Sequence, residues 1–97
     1  MNELQRLQHW YTSQCNEDWE HSFGVKIETL DNPGWWLEVD LRETDLSGKE
    51  FNTISRGDSE DDVDWIHCKV ESDKFVGSGG ASNLAELLQH FLAWAGR

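Results

Sequence analysis

The stretch GVKIETLDNPGWWLEVDL, residues 24–41, decides the fold, because apolar residues recur at every second position on both sides of a single turn. In its first arm Val25 and Ile27 face one way while Lys26 and Glu28 face the other. Asp31, Asn32, Pro33 and Gly34 supply the turn: proline fixes φ near the bend and glycine tolerates positive φ. In the second arm Trp35, Leu37, Val39 and Leu41 oppose Trp36, Glu38 and Asp40. The two arms predict a hairpin with one wet face, which favours an antiparallel sheet.

Outward from this hairpin the period changes. Upstream, residues 3–16 read as a helix, with Leu4, Leu7, Tyr11 and Cys15 on one stripe and Trp10 beside them. Downstream, residues 42–62 are polar and irregular, with Phe51 and Ile54 marking a short third strand. Residues 64–72 alternate again, placing Ile66, Cys68 and Val70 opposite Trp65, His67 and Lys69. A tight turn at Asp73 and Lys74 pairs this strand with Phe75 to Ser78, and Gly77, Gly79 and Gly80 end it. Asn83 and Glu86 have capping-box spacing ahead of the apolar stripe Leu84, Leu87, Leu88, Phe91 and Ala95. The expected fold is α+β: an antiparallel sheet of four to five strands, with an N-terminal and a C-terminal helix packed on one face.

At 97 residues the chain reads as one domain, 1–97, with little room for a walled-off active site. It has 19 acidic against 8 basic residues, a net charge of -11 and a pI near 4.5. That field opposes direct binding to nucleic acid or an anionic membrane and attracts a protein with a basic surface. Acidity also serves solubility alone, so composition leaves both readings open. Six Trp, four Phe and one Tyr argue for a packed chain rather than an acidic disordered one. The start MNELQRLQHW has no basic region followed by an apolar run, and no apolar stretch reaches 18 residues. A cytoplasmic protein with Cys15 and Cys68 as free thiols is expected.

Several segments are distinctive as a set: LQHWYTSQCNEDWEHSFGVKIETLDNPGWW, DWIHCKV and GGASNLAELLQHFLAWA. Together they resemble the immunity protein 53 family of bacterial polymorphic toxin systems, over residues 4–95 and most weakly over 42–62. The resemblance implies a cytoplasmic antidote that binds and neutralises a toxin encoded beside it, without catalysis and without a cofactor. A rhodanese-like sulfurtransferase label sometimes attached to such proteins would require a thiolate cradled by amides and cations. Cys15 is instead followed by Asn16, Glu17 and Asp18, whose charges repel an anionic sulfur donor.

Against that background the wet sheet face is the leading contact surface, with Trp36, Trp65 and His67 set among Glu28, Glu38, Asp40 and Lys69. Aromatic anchors with a charged rim suit a tight protein interface, unless the 42–62 segment covers one Trp and makes it core. The acidic run from Asp58 to Asp64, which includes Asp61 and Asp62, reads as a solvated loop or as a mimic of a phosphate backbone. It lacks the glycine and ligand order of a calcium loop. Trp19 and Glu20, within the segment Cys15 to His21, are further contact candidates, and the Cys and His spacing there matches no zinc finger. Gly77 to Gly80 lacks a phosphate-loop lysine, and His9 and His90 read as surface residues. The expected function is occlusion of the toxin's active or substrate site by a monomer. The alternatives are a small enzyme using Cys15 with His21 or His67, and an acidic regulatory or nucleic-acid-mimic module.

Overall fold

A computed structural model describes residues 1–96. Three helices and five strands follow in the order α1 (Glu3–Gln14), α2 (Trp19–Ser22), β1 (Val25–Leu30), β2 (Gly34–Asp40), β3 (Ile54–Arg56), β4 (Ile66–Glu71), β5 (Lys74–Gly79) and α3 (Leu84–Ala95). The strands form one antiparallel sheet ordered β1-β2-β5-β4-β3, so the hairpins β1–β2 and β4–β5 join through their later strands. The expected α+β architecture with terminal helices is the observed one.

β5 is central because its glycines let a helix approach. A Cβ on Gly77 would sit 3.3 Å from a Leu87 methyl and 3.4 Å from the Phe75 ring, so α3 lies tight against this strand. Leu87, Leu88, Phe91 and Leu92 are the buried residues of α3, and α1 packs on α3 through Leu7 and Trp10. Edge-to-face aromatic contacts run through the core: Trp10 to Phe91 at 5.0 Å, Phe91 to Phe75 and Phe75 to Phe51 each at 5.2 Å.

Several local expectations need correction. The first helix stops at Gln14, and its buried stripe is Leu7 with Trp10, while Leu4 is 55% and Tyr11 38% exposed. The helix reaches α3 along one narrow line, and beside that line Tyr11 packs against Trp19. The true capping box belongs to α1: Asn2 accepts from the Gln5 amide, and Gln5 accepts from that of Asn2. At α3, Asn83 makes no cap bond, because its side-chain amide donates to Asp64 while Glu86 is drawn to Arg56. The β4–β5 turn is centred one residue early, on Ser72 and Asp73, both at positive φ as the tight hairpin turn requires. Within the irregular segment, Leu46 is buried and Phe51 packs on Phe75 and Trp94. Trp94 fixes that segment by donating its indole N–H to the Glu50 carbonyl at 2.7 Å.

Candidate functional site

Both long helices pack on the face that carries Leu37, Val39, Phe75 and Cys68, so alternation leaves the opposite face to the even residues of β2 and β5 and the odd residues of β4. Register aligns one residue per strand across it: Glu28, Trp36, Ser78, His67 and Ser55. Trp36 and His67 flank Ser78 from either side, about 10 Å apart at two strand spacings. The next row places Lys26, Glu38, Val76 and Lys69 together. Lys74 approaches Glu38 at 3.6 Å, and Lys69 pairs with Glu71 at 3.2 Å.

A groove of about 470 Å³ runs along this row, lined by Trp36, Trp65, His67, Ser78 and Ser55 and by the turn residues Asp31 and Asn32. Trp65 points to the expected face but is only 6% exposed. Its indole lies over Gly34, where a Cβ would come 3.3 Å from the ring, and a Cβ on Gly57 would come 3.2 Å from the Trp65 Cβ. Asn32 reaches across to the Ser59 carbonyl at 3.4 Å, linking the β1–β2 turn to the acidic loop. On the far side of Trp65 a second groove of about 310 Å³ is bordered by Pro33, Glu60, Asp61, Asp62 and Val63. Trp65 is therefore the wall between two grooves, and the expectation of an exposed Trp65 is corrected. Pattern gave its direction; a loop without an apolar repeat covers it.

The acidic loop is ordered by its own carboxylates. Asp62 accepts from the Asp58 amide and Asp58 from that of Glu60, each at 2.8 Å, which leaves Asp61 pointing to solvent. Gly80 holds the loop close: its amide donates to the Trp65 carbonyl, and a Cβ there would collide with the Val63 carbonyl. At the loop's end Asp64 accepts from Arg56 at 2.6 Å and from Asn83 at 3.0 Å, which lowers its pKa, Arg56 being the main cause. Arg56 also grips Glu86 with both terminal nitrogens, at 2.6 and 2.8 Å, and holds that carboxyl down at about 2, with help from His90. His90, expected on the surface, is half-buried in this network.

The remaining candidates are structural in their immediate contacts. Trp19 is 2% exposed, with its indole N–H bonded to the Arg42 carbonyl and its ring against Trp10 and Tyr11, so it belongs to the core and not to the surface. The short α2 turns it inward, a feature with no periodic signal in four residues. Glu20 accepts from the amides of Asn16 and Glu17, and backbone bonds, its own amide's first, lower its pKa. Asp40 is buried; burial alone would raise its carboxyl, but a two-pronged bond from Arg42 at 2.6 and 3.0 Å keeps it below the usual range. The same Arg42 stacks on Phe23 at 4.8 Å. Glu28 is exposed, while Glu38, Trp36 and His67 are half-buried.

Cys68 is fully buried, and burial, then the Glu86 charge, pushes its thiol up to about 11. The Cys15 thiol donates to the Tyr11 carbonyl at 3.3 Å. Among the described residues no group of three His, Cys, Asp or Glu is placed to hold a metal ion, and no helix is long and apolar enough to cross a membrane. No curated protein and no solved structure gives a significant match. The immunity protein 53 family, in contrast, matches residues 4–96, nearly the whole chain, and the chain belongs to that family.

Proposed function

We propose that this immunity protein neutralises its toxin by laying the open sheet face and the adjoining acidic loop over the toxin's active or substrate site. Membership of the family carries the coarser statement, an immunity protein directed against a toxin. The finer reading is carried by one observation: the row Glu28, Trp36, Ser78, His67 and Ser55 crosses a face that no helix covers. Trp36 serves as the aromatic anchor, with His67 beside it and Glu28 and Glu38 as the charged rim. Asp61 and Asp62 extend the rim along the loop. Trp65, Asp64, Asp40 and Glu20 act indirectly, by holding the shape of this surface. The excess negative charge speeds encounter with a basic toxin surface and makes it salt-sensitive.

The test is capture of the toxin encoded beside this chain's gene. Replacing Trp36 and His67 together by Ala should weaken capture at least tenfold and abolish protection of growing cells, with the far-UV circular dichroism spectrum unchanged. Undiminished capture by the folded double variant overturns the reading.

A further inference from the structure

We infer that β1 is a pairing edge for a second copy of this chain, joining two five-stranded sheets into one across a two-fold axis. The four central residues of β1, Lys26 to Thr29, are all exposed, and Ile27 is 38% exposed despite pointing to the helix-covered side. The opposite edge, β3, has only three residues. A three-residue edge offers little to pair with, whereas β1 offers six residues guarded only by the charges of Lys26 and Glu28.

The hydrogen-bond phase of β1 is fixed by β2. The Asp40 amide donates to the Gly24 carbonyl, so Lys26, Glu28 and Leu30 turn their peptide groups toward β2. Those of Val25, Ile27 and Thr29 point outward, and a partner strand must match outward residues to outward residues. For an antiparallel copy the register centred on Ile27 does this, pairing Ile27 with Ile27 and Val25 with Thr29 of the two chains. The same register sets Lys26 opposite Glu28 of the other copy, twice, on the open side of the sheet. A shift in one direction puts Lys26 against Lys26, and a shift in the other puts Glu28 against Glu28. Charge therefore selects one of three registers, and the edge is complementary to itself. A strand from an unrelated protein gives no reason for that symmetry.

Pairing through this edge departs from the monomer expected from sequence; Glu28 also lies in the row proposed to face the toxin, whereas Lys26 lies outside it. One paired strand buries little surface, and two chains of net charge -11 repel, so association is weak and needs physiological salt. Sedimentation of the full chain across its soluble concentration range should show a monomer–dimer equilibrium. Lys26→Glu and Glu28→Lys should each weaken it roughly tenfold or more, because each turns both cross-strand pairs into like charges. Mixing the two variants should restore dimers, since one edge is then wholly acidic and the other wholly basic. Both positions are exposed, so folding is not at stake. A wild-type chain that stays monomeric throughout, or single variants that dimerise like the wild type, overturns the proposal. So does a mixture that fails to associate. Loss of toxin capture in Lys26→Glu, at a position outside the proposed toxin row, beside a monomeric wild type would assign the edge to the toxin instead.

Discussion

The two faces of this sheet are made by the same strands and differ in nearly everything else. On the helix side, Leu37, Val39, Phe75 and Cys68 are fully buried and meet Phe91, Leu87 and Trp10. On the open side, Trp36, Glu38, Ser78, His67 and Lys69 are half-buried, and ion pairs join Glu38 to Lys74 and Lys69 to Glu71. The difference teaches where stability and recognition are separately encoded: cavity formation is costly on one face, whereas truncation on the other removes little packing. The largest expected effect tests that division. Phe91→Ala should cost about 3–5 kcal/mol, a large share of the roughly 5–15 kcal/mol that holds a domain this size. Trp36→Ala should cost about 1 kcal/mol or less. Denaturant midpoints of the two variants measure it, and similar losses would erase the distinction between the faces.

The next effect lies at the margin between the faces, where Trp65 is roofed by the acidic loop. Gly80→Ala forces a methyl group against the Val63 carbonyl, so the loop or the start of α3 must move, at about 1–3 kcal/mol. Gly24→Ala meets nothing within 4 Å and should be neutral or slightly stabilising. Thermal unfolding of the pair gives the contrast, and Trp fluorescence should report Trp65 becoming wetter only in the first variant.

That margin is also where the sequence was hardest to read. The hairpin around Pro33, the β4 alternation and the stripe of α3 were legible because each has a period and a partner that respects it. Trp36 and His67 were placed on the right face for the same reason. The roof over Trp65 was not legible, since it depends on Gly57, Gly80 and self-bonded carboxylates rather than on apolar spacing. Trp19 was lost to a helix of four residues, and Leu46 to a segment whose burial depends on contacts distant in sequence. Strand order, too, is set by how two hairpins meet, at a glycine-bearing strand that only a packed helix explains. Period reports which way a side chain points; it says nothing about what later covers it.

The smallest expected effect concerns the ion network that ties β3 and the loop to α3. Arg56 holds the pKa of the Glu86 carboxyl at about 2 in the folded chain, well below its ordinary value of 4.5. Folding thus favours the ionised form. The contribution is fully present above the unfolded pKa, near pH 4.5, and is lost as pH falls from there through about 2. Because Glu86 and Arg56 are partly open to solvent, the network is screened and its contribution is small. Glu86→Gln should therefore lower the urea midpoint modestly at pH 7, less so in high salt, and much less at pH 2, where about half of the folded wild type has lost the same charge. If the two proteins differ as much at pH 2 as at pH 7, Glu86 contributes through packing of its stem, and the link between loop and helix is not electrostatic.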